Sequence, residues 1–177
     1  MFSGEGEGDG VAGIDLITRH SLREQKRVLN ILLAEDNPIN QTLALRLLAK
    51  LGHQVTVANN GAEALDLHAR QRFDIILMDV QMPVMGGFET TAEIRRREAD
   101  GAPHTPIVAM TAHAMKGDRE RCLEAGMDGY LSKPINAPDL VEALIHHADQ
   151  TLRGFVQHAG QLAVGEALGL QPGQRHL

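Results

Sequence analysis

The chain has 177 residues, of which 43% are hydrophobic and 23% charged, a composition typical of one globular domain with extensions. The formal net charge of −6 argues against nucleic-acid binding as the main function. One cysteine excludes an intrachain disulfide and fits a reducing compartment, and neither a membrane-spanning stretch nor a signal-peptide pattern is visible. We therefore expect a cytoplasmic segment without membrane contact of its own, which is compatible with a membrane anchor elsewhere in a longer parent protein.

The composition changes twice along the chain. Residues 1–27 begin with glycine at every second or third position, which indicates a flexible linker or an artificially added N-terminal segment. Residues 28–150 alternate between short apolar runs and helical patterns and are the predicted domain. Residues 151–177 have a helical rhythm that glycines interrupt, and we expect a C-terminal extension that is partly helical or disordered.

Five short runs predict β-strands. Continuous apolar runs of four or five residues are typical of strands that are buried on both faces of a parallel sheet. The predicted strands, of which the second and the fifth are the weakest, are Ile31–Ala34, Val55–Ala58, Ile75–Met78, Ile107–Met110 and Gly129–Ser132.

The segments between and after these strands have the periodicity of helices. The five predicted helices begin near residues 38, 61, 88, 115 and 138, and the last continues to about residue 150. In the first, apolar residues recur every four positions from Ile39 to Leu51; in the second, Ala62, Leu65 and Ala69 share a face. Regular alternation of strand and helix predicts an α/β fold, a doubly wound five-stranded parallel sheet in the flavodoxin-like order 2-1-3-4-5 with helices on both faces.

Polar side chains follow four of the predicted strands. Glu35 and Asp36 follow the first, Asp79 the third, Thr111 the fourth and Lys133 the fifth. In such folds ligands bind beyond the carboxyl ends of the strands. Three carboxylates at one edge repel one another unless a cation binds, and Mg²⁺ uses carboxylates, waters and phosphate oxygens. A remaining carboxylate can attack phosphorus while the amine offsets charge on the phosphoryl oxygens, so the pattern predicts Mg²⁺-dependent phosphoryl transfer to an aspartate.

Each of these residues has a simpler interpretation when it is taken alone. A carboxylate or a threonine after a strand often caps the next helix, and a single lysine is usually a solvated charge. Cys122 lies among helix-forming residues and is interpreted as a packing residue, and the nine histidines show no zinc-like spacing with it. The joint placement at four strand ends is what favours a common site.

The motifs around these residues resemble response-regulator receiver domains over about residues 29–148. The similar segments are the first strand with its acidic pair (Ile31–Pro38), the loop after the third strand (Leu77–Gly87), and the last two strands with the residues that follow (Ile107–Ala114 and Gly129–Pro134). The sequence of the first segment, together with the residues upstream of it, is most similar to the C-terminal receiver domain of a hybrid sensor histidine kinase.

The resemblance implies a role for each site residue. Asp79 is the phosphoacceptor, and Lys133 pairs with it and with the phosphoryl group. The bond between Lys133 and Pro134 is expected to be cis. Thr111 and Tyr130 form a switch pair that responds to the phosphoryl group. The resemblance also implies a metal site for Mg²⁺, formed by Glu35, Asp36, Asp79 and the backbone carbonyl of Gln81. Asp36 is expected to bind the ion directly, and Glu35 mainly through water.

Three positions vary within such families. Gly86 stands where an aspartate is common, and its lack of a side chain is expected to remove a cap from the third helix at a cost under about 1 kcal/mol. Gln81 and His113 flank the approach path of the hydrolytic water, so we expect them to tune the lifetime of the phosphoryl group.

The implied partner is a histidine kinase or histidine phosphotransfer domain that donates a phosphoryl group from phosphohistidine. An output or phosphotransfer partner is expected on the face of the fourth helix, fifth strand and fifth helix. On this interpretation the domain catalyses the phosphorylation and dephosphorylation of its own Asp79 and is not a turnover enzyme with a small substrate. Two alternatives remain: a degenerate receiver that serves as a binding module, and an aspartyl phosphohydrolase, which Gln81 disfavours because such enzymes usually carry a second acid there.

Overall fold

A parallel five-stranded sheet lies between two layers of helices in the computed structural model, which describes residues 28–112 and 116–147. The elements in chain order are β1 (Asn30–Ala34), α1 (Pro38–Lys50), β2 (Gln54–Ala58), α2 (Gly61–Arg70), β3 (Ile75–Asp79), α3 (Gly87–Ala99), β4 (Ile107–Thr111), α4 (Lys116–Glu124), β5 (Gly129–Ser132) and α5, whose described part covers 137–147. The strand order is β2-β1-β3-β4-β5, which confirms the predicted doubly wound fold.

The central strands are buried on both faces because successive side chains point to opposite sides of the sheet. Ile31 and Leu33 of β1 face the core beneath α1 and α5, whereas Leu32 and Ala34 face the core beneath α2, α3 and α4. Every residue of β3 and β4 is buried, but the edge strands β2 and β5 are partly exposed. This gradient of burial explains why the second and fifth strands gave the weakest sequence signals.

Helices α1 and α2 bury faces that differ in part from those that the sequence patterns suggested. In α1 the buried residues are Ala44 and Leu48, while Ile39 at the start of the apolar repeat is 77% exposed. A repeat of four residues advances by about 40° per step around a helix of 3.6 residues per turn, so its first member lies far from the buried face. In α2 Ala62 and Ala69 are exposed, and the sheet contacts come from the side that carries the buried Leu65.

An ion-pair cluster joins α3 to the loops at the amino ends of β4 and β5. The ring of His104 contacts Asp128 at 2.7 Å and Glu98 at 3.1 Å, and Arg95 pairs with the same two carboxylates. Hydrogen bonds to Asp128 and then to Glu98 raise the pKa of His104 to about 9. The imidazole is therefore charged at neutral pH and stabilises the end of the domain opposite to the predicted site.

Several expectations lie outside the described residues. They concern the N-terminal linker, the C-terminal extension, the role of His113, the start of the fourth helix at Met115 and the end of the fifth helix near Gln150. None of the helices in the described part combines the length and the hydropathy needed to span a bilayer.

Candidate active site

The fold brings the five polar residues predicted at strand ends to one edge of the sheet. Glu35 and Asp36 directly follow β1, Asp79 and Thr111 are the last residues of β3 and β4, and Lys133 directly follows β5. All five line one cleft of about 450 Å³. They meet because parallel strands end at the same edge of a sheet, so the sequence prediction of a common site holds in three dimensions.

The Asp79 carboxylate is held in one orientation at the base of this cleft. Asp79 is 6% exposed; its Oδ1 accepts a hydrogen bond from the Gln81 backbone N–H at 3.1 Å, and its Oδ2 accepts one from Lys133 Nζ at 2.6 Å. Burial raises the pKa of Asp79 and the Glu35 charge adds to this effect, while the hydrogen bonds from Lys133 and Gln81 oppose it. A carboxylate that is buried and held in one orientation by hydrogen bonds is suited to nucleophilic attack when a cation offsets its charge.

Lys133 bridges two buried carboxylates. Its Nζ lies 2.6 Å from Asp79 Oδ2, as the sequence analysis expected, and 2.7 Å from Glu35 Oε2, which it did not. Burial alone would lower the pKa of Lys133, but the hydrogen bond that it donates to Asp79 and its ion pair with Glu35 raise that pKa above its ordinary value. The ammonium therefore stays charged at neutral pH. The bond between Lys133 and Pro134 is cis, as the resemblance implies.

The acidic residues fit a hard divalent cation. Glu35, Asp36 and Asp79 each offer one carboxylate oxygen, and these oxygens all lie within 4.8 Å of one another. Glu35 and Asp79 are buried and Asp36 is exposed, so the set is open to solvent on one side. Such an oxygen set with an open side is what Mg²⁺ requires, because Mg²⁺ keeps several waters. Gln81, whose carbonyl the resemblance adds as a ligand, also lines the cleft.

The loop between β3 and α3 packs closely against the backbone of Asp79. A Cβ at Gly87 would collide with the backbone oxygen of Asp79, so only glycine allows this close approach. Gly86 is the N-cap of α3 and makes no side-chain cap hydrogen bond, in line with the missing cap that the sequence predicted. Val84 in the same loop is 84% exposed and has a φ of 68°, a strained conformation for a β-branched residue.

The two predicted switch residues occupy neighbouring strands. Thr111 is 8% exposed and lines the cleft, whereas Tyr130 on β5 is 40% exposed. The guanidinium of Arg119 on α4 lies over the Tyr130 ring, 5.6 Å from its centre. This cation–π contact, which sequence reasoning missed, favours the outward position of the tyrosine.

Two asparagines at the start of α1, the N-cap Asn37 and Asn40 in the first turn, were also missed as residues of the site. Asn37 and Asn40 line the cleft, and each donates a hydrogen bond to Glu35 Oε1 at 3.1 Å, Asn37 through its backbone N–H and Asn40 through its side chain. Their spacing of three residues at the start of a helix that follows an acidic pair was the signal that could have found them.

The chain is similar to known proteins over the domain just described. A family model for the response regulator receiver domain matches residues 31–145. The hybrid signal transduction histidine kinase I of Dictyostelium discoideum is 48% identical over 119 residues, which cover 64% of this chain and 7% of that protein. The polar-differentiation response regulator DivK of Brucella anthropi is 40% identical over 115 residues, which cover 65% of this chain and 92% of that protein. The chain thus spans a small part of its hybrid-kinase relative.

Solved structures show the same likeness. The receiver domain of a sensor histidine kinase from Pseudomonas aeruginosa PAO1, solved with a magnesium ion in its active-site cleft, is 44% identical with a TM-score of 0.63, covering 70% of this chain and 99% of that chain. The receiver domain of the Saccharomyces cerevisiae response regulator Ssk1, solved with the histidine phosphotransfer protein Ypd1, is 31% identical with a TM-score of 0.65, covering 68% and 89%.

Proposed function

The chain belongs to the response regulator receiver domain family of two-component phosphorelays, and we propose that it accepts a phosphoryl group on Asp79 from a phosphohistidine. The observation that carries the proposal is the contact of 2.6 Å between Lys133 Nζ and Asp79 Oδ2 inside a cleft with two further carboxylates. In this arrangement the Lys133 ammonium lies next to the Asp79 carboxylate, where it can offset the negative charge of an incoming phosphoryl group.

The proposed transfer forms one bond and breaks another. A carboxylate oxygen of Asp79 attacks phosphorus, the phosphorus–nitrogen bond to the donor histidine breaks, and the electron pair leaves with the imidazole, which takes up a proton from solvent. Lys133 stays close enough to bind a phosphoryl oxygen, and Thr111 in the same cleft donates a hydrogen bond to another. Asp36, Asp79, the Gln81 carbonyl and Glu35 would hold Mg²⁺, which would supply positive charge to offset that of the phosphoryl oxygens.

Conformational signalling follows from the same residues. Thr111 is drawn toward the phosphoryl group, and Tyr130 turns inward to fill the space beside it. Leu123, Tyr130 and Ile145, on α4, β5 and α5, are exposed by 43%, 40% and 42%. We assign this face to an output or phosphotransfer partner because its apolar exposure changes when the tyrosine moves.

The parent protein is proposed to be a hybrid histidine kinase, by its likeness to the Dictyostelium relative. Its phosphodonor is then a kinase or phosphotransfer domain, of the kind that the yeast relative binds. A cytoplasmic location belongs to the same proposal and agrees with the free, buried Cys122. Neither nucleic acid nor a membrane surface is proposed as a partner of this domain.

Intact mass after incubation with Mg²⁺ and acetyl phosphate tests the proposal, with wild type compared to Asp79→Asn. We expect one phosphate-sized gain for wild type, its loss with EDTA and no gain for the variant. A gain that persists in Asp79→Asn would place the acceptor elsewhere. If phosphohistidine donors also leave wild type unmodified, the domain is a degenerate receiver that acts as a binding module.

A further inference from the structure

Asn40 in the first turn of α1 reaches into the cleft and has no part in the chemistry proposed above. Its side-chain Nδ2 donates to Glu35 Oε1 at 3.1 Å, and the Asn37 backbone N–H donates to the same oxygen at 3.1 Å. Asn37 is itself fixed because its side chain caps α1, accepting from the Ile39 backbone N–H at 2.9 Å. One helix turn therefore supplies both of these donors to a single carboxylate oxygen of Glu35.

The backbone of Glu35 is tied to the same helix. Gln41 Nε2 donates to the Glu35 carbonyl oxygen at 2.6 Å and to Asn59 Oδ1 at 3.0 Å. Glu35 is 1% exposed, so protein contacts rather than water set the orientation of its side chain. With Oε1 occupied by α1, Oε2 is the oxygen that lies 2.7 Å from Lys133 Nζ.

We infer that Asn40 is a positioning residue, which fixes the Glu35 carboxylate so that Oε2 faces both the lysine and the cation site. This inference rests on the proposed function, because it assigns the cleft a metal. Without the Asn40 amide, Oε1 keeps one donor of two, and the carboxylate can rotate away from the shared position. Groups that orient a metal ligand without touching the metal typically account for about 10- to 100-fold in affinity. Since Glu35 shares the site with Asp36 and Asp79, we expect an effect near tenfold.

Magnesium binding to the full chain, followed by NMR titration, measures this effect without any phosphoryl transfer. Asn40→Leu keeps the side-chain volume and removes the donor, and Asn40→Ala is a second donor-free variant. Asn40→Gln keeps an amide and tests rescue. Asn60→Ala is the matched control, because the Asn60 side chain caps α2 through the Glu63 backbone N–H at 2.9 Å and does not line the cleft.

The dissociation constant for Mg²⁺ should rise about tenfold in Asn40→Leu and Asn40→Ala, recover in part in Asn40→Gln and stay unchanged in Asn60→Ala. If Asn40→Leu and Asn40→Ala bind Mg²⁺ with the wild-type dissociation constant and only lose stability in urea, Asn40 has a purely structural role and the inference is overturned. A wild type that binds no Mg²⁺ would instead remove the metal site of the proposed function, and the inference with it.

Discussion

Replacing Lys133 with methionine removes the positive charge that contacts both buried carboxylates of the cleft. The ammonium lies 2.6 Å from Asp79 Oδ2 and 2.7 Å from Glu35 Oε2, and the three side chains are exposed by 16%, 8% and 1%. Methionine keeps much of the length and the packing of the lysine stem. In the variant the carboxylates of Glu35 and Asp79 remain buried and close together, but they have lost their attraction to the ammonium. The cost of their desolvation is unchanged.

The expected loss of stability is about 3 kcal/mol at pH 7. Removing one partner of a buried ion pair typically costs about 3–5 kcal/mol, and we take the lower end because the cleft is open to solvent beside Asp36. With an m-value near 1.5 kcal/mol/M for urea, the unfolding midpoint should fall by about 2 M. The deficit should shrink toward pH 4. In the variant the folded pKa of Asp79 lies further above its unfolded value, so proton uptake favours the folded state.

Urea unfolding of the full chain, followed by circular dichroism in EDTA, measures the change. Lys50→Met is the matched control, because Lys50 is exposed in the last turn of α1 and its removal should cost less than about 0.5 kcal/mol. Adding Asp79→Asn to Lys133→Met should restore most of the loss, since one of the two facing charges is gone. Equal midpoints for Lys133→Met and Lys50→Met at pH 7 would refute the reasoning that the bridge is a desolvated ion pair.

Three other substitutions test separate contacts. Gly87→Ala should destabilise the domain by at least about 2 kcal/mol in urea because its Cβ meets backbone, whereas Gly117→Ala, with nothing within 4 Å, should be neutral or stabilising by up to about 1 kcal/mol; equal effects would contradict the close approach. His104→Gln removes a group whose folded pKa of about 9 exceeds the ordinary 6.5, so its contribution is fully present below pH 6.5 and is lost as the pH rises through 9. Because the ring is half exposed, the difference in unfolding free energy should be about 1 kcal/mol at pH 6 and vanish by about pH 10; a constant difference would contradict the ion pairs. Arg119→Met removes a cation–π contact worth about 0.5–1 kcal/mol, so the inward population of Tyr130 should rise about two- to fivefold. Acrylamide quenching of tyrosine fluorescence reports this residue alone, since the chain has one tyrosine and no tryptophan, and unaltered quenching would contradict the prediction.

Local patterns were sufficient for the fold and for the residues at its functional edge. Each strand is a short apolar run, and the polar residue that follows it is adjacent in sequence, so strand ends could be located within one residue from the sequence. Parallel strands then require Asp79, Thr111 and Lys133 to meet at one edge, whatever the details of helix packing. The type of chemistry follows from the residue types that meet there.

Contacts between elements could not be predicted in the same way. The Glu35–Lys133 bridge joins residues that are far apart in the chain, and it depends on rotamers that the pattern of strands leaves open. The outward Tyr130 under Arg119 depends on how α4 packs beside β5. The exposed Ile39 shows the same limit, because an apolar repeat does not fix the rotation of a helix about its own axis.

The sequence by itself therefore determined which elements form, the order in which they alternate and which polar residues end the strands, because these depend on neighbours along the chain. Only the tertiary structure decided that Lys133 contacts both Glu35 and Asp79, that Asn40 of α1 donates a hydrogen bond to Glu35, and which faces of α1 and α2 are buried. The physical reason is that these features depend on the distances and rotations between packed elements, which are set when the two cores close on the sheet.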